Sequence, residues 1–434
     1  MVSDGASGTV FGGPSGAAPG GGRPGAGESG VSSESSEEAG PGAAFAGVPS
    51  VVPRPVEELR PLLEWLRTGR AAPRRLDFAA GTALPDGRLD LCKQQLGPGG
   101  AAEVARALRP DGPVRHLLLG TDGLGDAGAA AVAERAGEAG VETLYLGCNT
   151  LTSAGVCSLA DNLRASPSAV TGVWLKRNPL GAGAGDAAAR LLAQVRELRT
   201  LDLVQTGLEP SGAAALAEAL VAAARDGRPV ERLYAGGNPL GPAGARALAP
   251  VVAAGACGEL YLAAAGLGDA GAAELTGALE RAPFGRLRRL SVASDGIGAP
   301  AAGRLVAAAV HAGVELCDLG RVKAARALGA ADNRFDETAA AFVGAALAAG
   351  PHRLTHLVLT HTGATSAAAH RLLDSARCAV TPTRFRFGSG VARSVKRRLD
   401  ALSAEVAPLP VPAAVAAIRS VHRQPLPGPG TAPD

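Results

Sequence analysis

A short phrase recurs along this chain about every 28 residues, and it constrains the fold more than any other feature of the sequence. The phrase reads apolar-x-apolar-x-x-Asn-x-Leu-x-x-x-Gly, and its clearest copy contains Leu144, Leu146, Asn149, Leu151 and Gly155. Other copies begin at Leu89, Leu117, Val173, Leu201, Leu233, Leu260, Leu290 and Leu357. One unit is too small to bury its own apolar face, so the units must stack into a solenoid with one continuous core.

Each unit has two halves with different hydrophobic periods. The alternating apolar residues predict a short strand, and the Gly/Ala-rich run after the last glycine of the phrase predicts a helix that packs close to its neighbours. The Asn position is expected to turn a polar side chain inward to bond loop backbone. It is occupied by Gln94, Asp122, Asn149, Asn178, Thr206, Asn238, Ala265, Asp295 and Thr362. Ala265 alone among these has no polar group for that task.

The phrase and the helical second half of each unit resemble the ribonuclease-inhibitor type of leucine-rich repeat, over roughly Leu89 to Ala376. The resemblance implies an α/β leucine-rich-repeat solenoid, a horseshoe with parallel strands on the concave side, helices on the convex side and helical caps. It also implies a family that mostly grips other proteins. The cysteine-rich repeats of the inhibitors are missing here, and no residues match the GTPase-contacting positions of the related activators of Ran-type GTPases.

Composition divides the chain into four segments. Residues 1–48 form a Gly/Ser/Pro-rich leader that is expected to be disordered, and residues 49–86 form an N-terminal cap and a degenerate first repeat. Residues 87–378 hold the repeats, and 379–434 a C-terminal helical cap and flexible tail. An irregular segment from Arg321 to Asn333 interrupts the rhythm and predicts a loop.

Charge and cysteine usage exclude several classes of protein. A net charge of +3 and a pI of 8.6 are too mild to indicate nucleic acid or an anionic membrane as the partner. The six cysteines are dispersed without a C-x-x-C pair, which favours reduced thiols in a cytoplasm over a zinc site or a disulfide framework. Abundant Ala, Gly and Arg suggest a GC-rich bacterial genome.

One column of residues stands out on the predicted strands. The residue between the two apolar positions must point away from the core, onto the concave face. The column contains Asp90, Leu118, Tyr145, Trp174, Asp202, Tyr234, Tyr261, Ser291 and Val358, which include all three tyrosines and one of the two tryptophans. Such side chains dominate binding hot spots, although β-propensity alone also favours aromatic residues on strands. We expect replacement of Tyr145 and Trp174 by alanine to leave folding nearly intact.

Basic residues accompany this column and suggest an acidic protein partner. They are Arg88, Lys93, His116, Lys176, Arg177, Arg232 and Arg289. His356 and His361 are expected on the concave side of the last repeat, but their spacing on a strand does not favour a metal site. We therefore predict no metal and no cofactor.

These observations predict a non-enzymatic scaffold that binds a protein or peptide on its concave face. No catalytic motif is present, and the glycine run from Gly181 to Gly185 lacks the Lys and Ser/Thr of a phosphate loop. The predicted contact residues are Tyr145, Trp174, Asp202, Tyr234, Tyr261, Lys176, Arg177, Arg232, His356 and His361. The alternative is a regulatory subunit, an enzyme inhibitor or a GTPase-activating protein, that acts by the same surface.

Overall fold

The computed structural model describes residues 50–165 and 169–421. The predicted leader over residues 1–48 and the end of the predicted tail, residues 422–434, lie outside the described residues. Thirteen described strands form one sheet in chain order, so each strand pairs only with its neighbours in sequence. Among the described residues, no helix is long and apolar enough to cross a membrane.

The strands are short, and most of them are in parallel register. They are β1 Leu76–Phe78, β2 Gly81–Ala83, β3 Arg88–Asp90, β4 His116–Leu118, β5 Thr143–Tyr145, β6 Gly172–Trp174, β7 Thr200–Asp202, β8 Val230–Tyr234, β9 Cys257–Tyr261, β10 Arg289–Ser291, β11 Leu316–Asp318, β12 His356–Leu359 and β13 Arg384–Phe387. From β3 to β13 every pair is parallel. The chain therefore folds as the predicted α/β leucine-rich-repeat solenoid, an open sheet of parallel strands joined by helices.

A helix follows each of the parallel strands from β3 to β13. The helices are α1 Arg60–Thr68, α2 Gly97–Ala107, α3 Gly125–Ala136, α4 Ser153–Ala165, α5 Ala184–Gln194, α6 Pro210–Arg225, α7 Gly241–Ala253, α8 Gly268–Leu279, α9 Ala299–His311, α10 Glu337–Ala348, α11 Ser366–Ala376, α12 Arg393–Leu402 and α13 Ala413–Ala417. Successive helices from α2 to α11 pack side by side. A Cβ on Gly185 would lie 2.1 Å from the carbonyl oxygen of Gly212, which shows how closely α5 and α6 approach.

The N-terminal end of the sheet is closed by a helix and a hairpin. Gly69 ends α1 with a φ of 64°, in the left-handed region that glycine adopts readily. The predicted degenerate first repeat contains the strand β1. The chain then turns back as the antiparallel strand β2, which pairs antiparallel with β3. The sequence pattern did not indicate this hairpin, because Gly81–Ala83 carries no copy of the repeat phrase that marks the other short strands.

Side chains at the Asn position form a ladder of hydrogen bonds between repeats. Oδ1 of Asn178 accepts from the backbone N–H groups of Asn149, at 2.9 Å, and Leu151, at 3.1 Å. Its amide nitrogen donates to the carbonyl oxygens of Leu146, at 3.0 Å, and Leu175, at 2.8 Å. Asn149, Asn238 and Asn333 bond in the same way to the turn of the preceding repeat, so each side chain fixes the distance between two turns.

Two aspartates replace asparagine in this ladder, and each uses only half of its carboxyl group. Oδ1 of Asp295 accepts from the N–H of Ala265 at 2.7 Å, and Oδ1 of Asp122 accepts from the N–H of Gln94 at 2.6 Å. Oδ2 of each is buried and has no hydrogen-bond partner within the described part of the chain. Burial raises the pKa of Asp295 to about 7 and raises that of Asp122 well above its usual value. A protonated carboxyl group is the closest match to an amide at these positions.

We expect Asn178→Ala to lower the free energy of unfolding by about 3–5 kcal/mol, because it leaves two buried N–H groups and two buried carbonyl groups unpaired. Chemical denaturation measures the change. Asn162→Ala is the matched control, since Asn162 is half-buried on a helix and donates one bond, to the carbonyl of Ala130. An equal effect of both substitutions would contradict the ladder's role.

We expect Asp295→Asn to stabilise the protein by about 1–3 kcal/mol at pH 8, because an amide needs no proton to fit this site. The pKa of Asp295 in the folded protein lies above the unfolded value of 3.8, so its contribution is fully present below about pH 4 and is lost as the pH rises through about 7. The gain from the substitution should therefore disappear near pH 4. Thermal melts at pH 4 and pH 8 test this, and a gain that does not depend on pH would contradict it.

Candidate functional site

The sheet separates two apolar clusters. The main core lies between the strands and the helices and includes the apolar residues that flank the predicted column, such as Leu144 and Leu146. The opposite face, which we call the inner face, carries the residues between them. Tyr145 pairs with Trp174, Trp174 with Asp202, and Tyr234 with Tyr261 across neighbouring strands, so the predicted column is in register. These aromatic residues form a second cluster that is distinct from the main core.

The aromatic rings of the column contact each other directly. Tyr234 stacks on Tyr261 with ring centroids 4.4 Å apart and an interplanar angle of 7°. Trp174 and Tyr234 lie two strands apart, a spacing of about 10 Å in a sheet, yet their centroids are only 5.2 Å apart. The two rings therefore lean toward each other over Asp202 on β7. Nζ of Lys176 lies 5.7 Å from the centroid of the Tyr145 ring, a cation–π geometry.

Asp202 lies buried among these rings instead of on an open surface. Its Oδ1 accepts from the N–H of Val204 at 2.8 Å, as Asp90 and Asp318 do from the residues two positions after them. Burial raises the pKa of Asp202 to about 6, against the opposing effects of Lys176 and the Val204 N–H. Burial also lowers the pKa of the Lys176 ammonium group. One carboxylate oxygen of Asp202, which the sequence predicted as a partner contact, is thus already bonded to the turn that follows β7.

A buried carboxylate organises the basic residues beside the aromatic rings. Glu259 is 2% exposed and accepts the Tyr261 hydroxyl at 2.8 Å. Nε of Arg232 lies 3.3 Å from one carboxylate oxygen and Nε of Arg289 lies 3.7 Å from the other. The single negative charge of Glu259 therefore offsets only part of the basic character that the sequence suggests here. The sequence pattern missed Glu259, because it stands two residues before the column and has no counterpart in the other repeats.

The last part of the chain that the structure describes lies on the inner face. We call residues 404–421, which follow α12 and include α13, the C-terminal segment. Arg384 on β13 donates to the carbonyl of Ser403, just before the segment, at 3.4 Å, and Arg289 on β10 donates to that of Pro410, within it, at 3.2 Å. At the other end, Arg88 on β3 donates to the carbonyl of Arg419 at 2.8 Å. The segment therefore runs from β13 back to β3, against the order of the strands.

Asp90 and one aliphatic side chain hold the far end of the segment. Oδ2 of Asp90 accepts from the Ser420 hydroxyl at 2.8 Å and from the N–H of Val421 at 2.5 Å. Ile418 is 1% exposed and belongs to the second cluster together with Cys92, Leu118 and the four aromatic residues of the column. Val415 packs against the same cluster. Residues 404–421 were expected to belong to a cap and flexible tail, but the structure places them against the inner face.

The burial of the column corrects one expectation. Tyr145, Trp174, Tyr234 and Tyr261 are 8%, 1%, 9% and 5% exposed, so Tyr145 and Trp174 cannot be removed without loss of packing. The indole N–H of Trp174 is also buried, and it has no hydrogen-bond partner in residues 50–165 and 169–421. The C-terminal segment that covers the column could have been found in the sequence only from Val415 and Ile418, which lie at helical spacing near the C-terminus. No periodic pattern connects that pair to the repeats.

The remaining predicted contact residues occupy other parts of the surface. Arg177 is half-buried in the turn after β6, with a φ of 57°. His356 starts β12 on the inner face, where burial and the nearby Arg384 and Arg386 lower its pKa to about 4. His361 is exposed in the turn after β12, so the two histidines are not brought together on one open surface. Within the described residues, no group of three or more His, Cys, Asp or Glu side chains is placed to hold a metal.

An open cleft at the C-terminal end of the inner face has six basic residues and one acidic residue in its lining. It has a volume of about 900 Å³ and lies between the start of the irregular segment, β12 and β13. Its basic lining residues are Arg321, Lys323, His361, Arg384, Arg386 and Lys396, with Asp400 as the acidic one. Arg321 pairs with Asp332, and Lys396 donates to the carbonyl of Gly388 at 2.6 Å. We call this the basic cleft.

We expect Glu259→Ala to lower the free energy of unfolding by about 3 kcal/mol, because it leaves Arg232 and Arg289 buried without their shared carboxylate. Tyr261→Phe removes only one hydrogen bond from the same carboxylate, so a loss of about 1 kcal/mol is expected. Denaturant titration of both variants measures the difference. A smaller loss for Glu259→Ala than for Tyr261→Phe would contradict the role assigned to Glu259.

Comparison with known proteins supports the fold and a distant relationship. No model of a known protein family matches the chain. A ribonuclease inhibitor from Sus scrofa is 33% identical over 201 residues, which are 45% of this chain and 42% of that protein. The chain thus spans less than half the length of this relative. A solved structure described as the Rad7 and Elc1 complex in yeast is 16% identical, with a TM-score of 0.47, over 80% of this chain and 81% of that one. The chain is a leucine-rich-repeat solenoid with similarity to ribonuclease inhibitor.

Proposed function

We propose that this protein is a non-enzymatic scaffold that binds a segment of another protein on its inner face. The observation that carries the proposal is the inner face itself, which already holds a chain segment through an aromatic cluster and several hydrogen bonds to backbone atoms. Aromatic residues and arginine are the groups that contribute most to protein interfaces. The predicted contacts Tyr145, Trp174, Tyr234, Tyr261 and Asp202 form the floor of this proposed site.

The inner face has two zones that suit different parts of a partner. The aromatic zone from β3 to β10 is covered by the C-terminal segment, and the basic cleft beside β12 and β13 is open. A partner with acidic residues would complement the cleft, where Lys323 is exposed and Arg386 is half-buried. The similarity to ribonuclease inhibitor supports a protein partner as a class, and we propose no specific one. The cytoplasm stays the proposed location, which agrees with six free cysteines.

Photo-crosslinking in the native host tests which face binds. A benzoyl-phenylalanine at position 323, beside the basic cleft, is expected to capture a protein. The matched control carries the benzoyl-phenylalanine at position 225 instead. Arg225, which it replaces, is exposed at the end of α6 on the outer surface. Capture from position 323 but not from position 225 supports the proposal. Capture from position 225 alone, or from neither position, contradicts it.

Regulation of an enzyme is the second candidate function, and it is favoured by the name of the relative, an inhibitor of ribonuclease. An inhibitor and a scaffold would use the same inner face, so crosslinking does not separate them. Turnover of the captured partner, measured with and without this protein, does. A change in turnover that is lost when Lys323 is replaced by Glu would favour the regulatory subunit.

A further inference from the structure

The contacts of the C-terminal segment resemble those of a bound ligand more than those of a core element. Only Val406, Ala417 and Ile418 are buried among residues 404–421, and the segment adds no strand to the sheet. No residue of it belongs to the main core. The Pro-rich stretch that leads into α13, with Pro408, Pro410 and Pro412, has few N–H groups to offer the scaffold. The segment can leave the inner face without opening the main core.

Most of the polar contacts recognise backbone atoms and so do not depend on the sequence of the segment. Arg88 and Arg289 donate to carbonyl groups, and Asp90 accepts a backbone N–H. The contacts that depend on sequence are few: Ile418 and Val415 on the aromatic cluster, and the Ser420 hydroxyl on Asp90. Another chain with aliphatic side chains at this i, i+3 spacing on a short helical turn would make the same contacts.

The inner face also offers contacts that the segment does not use. The buried N–H of Trp174 has no acceptor among the described residues, and Gly172 beside it carries no side chain that would fill the space next to the indole. The basic cleft lies on the N-terminal side of the segment's path, near β13. A ligand that runs in the same direction, with acidic residues before its aliphatic turn, would gain both kinds of contact.

We propose that residues 404–421 are a built-in competing ligand of the inner face, and that the partner displaces them with a segment that presents the same aliphatic turn. That turn is a short helical one with two aliphatic side chains at i, i+3. The partner segment adds acidic residues before the turn, where residues 404–421 have only Glu405. The proposal rests on the proposed function, because it names the chemistry of the partner that the inner face binds. It adds that the free protein is closed and that binding opens it.

A peptide of residues 408–421, labelled for fluorescence anisotropy, tests the proposal on the full chain. The wild-type protein should bind it weakly, because its own segment occupies the face. Ile418→Asp should release that segment, since it places a carboxylate in the apolar cluster. The variant should then bind the peptide about 10- to 100-fold more tightly than the wild type does, the range for one buried aliphatic side chain.

Two controls make the result specific. Val380→Asp introduces the same charge at an exposed valine outside the inner face, and it should bind the peptide as the wild type does. A peptide that carries aspartate at its own position 418 should bind none of the proteins. Ile418→Ala serves as a milder variant if circular dichroism shows that Ile418→Asp does not fold, and it should give the same order of affinities.

Equal binding of the peptide by wild type and Ile418→Asp, or no binding by either, would overturn the built-in ligand. In that case crosslinking at position 323 would still decide the proposed function by itself.

A peptide with four glutamates added at its N-terminus tests the acidic part of the proposal. It should bind Ile418→Asp several-fold more tightly than the plain peptide at low salt, and the gain in affinity should fall as salt screens the cleft. No gain, or an equal gain from glutamates at the C-terminus, would overturn the acidic part of the proposal.

Discussion

The hydrogen-bond ladder at the Asn position fixes the geometry on which every other feature of this protein depends. Asn178 joins its own turn to the turn of the preceding repeat through four buried bonds, and Asn149, Asn238 and Asn333 repeat the arrangement. Bonds of this kind leave no freedom to shift one repeat along its neighbour, because a shift would unpair several buried groups at once. The parallel strands therefore stay in register, and one column of side chains becomes one continuous surface.

Register on the core side dictates what happens on the inner face. Large apolar side chains in the column cannot reach the main core, since alternate residues of a strand point to opposite faces. Four aromatic rings in one cluster are a large apolar surface to leave in water. The chain covers it with Ile418 and Val415. This aromatic surface is too apolar to stay exposed to water, and it also has the composition of a protein interface. The same residues therefore contact the C-terminal segment and would contact a partner.

The periodic part of the structure could be predicted from sequence, and the contacts between distant segments could not. The spacing of Leu144, Leu146 and Asn149 indicated the strand, the turn and the inward amide, and it placed Tyr145 and Trp174 on one face. The burial of that face could not be seen, because the residues that cover it lie more than 150 positions from Tyr261 and repeat nothing in the solenoid. Glu259 was missed for a similar reason: its two arginine partners come from the strands on either side, so no single repeat shows the triad.

Covalent attachment of the segment sets a threshold for any partner. A ligand tethered by a short flexible linker competes at an effective concentration in the millimolar range, so a partner present at micromolar levels must bind about 10³-fold more tightly than the segment would if it were untethered. Bonds to backbone atoms cannot supply this difference in affinity, because the partner and the segment make them equally. The additional affinity must come from contacts that the segment lacks. The inner face offers such contacts at the buried Trp174 N–H and in the basic cleft. Selectivity would then arise from the groups around the covered cluster instead of from the aromatic rings, which set affinity for both ligands alike.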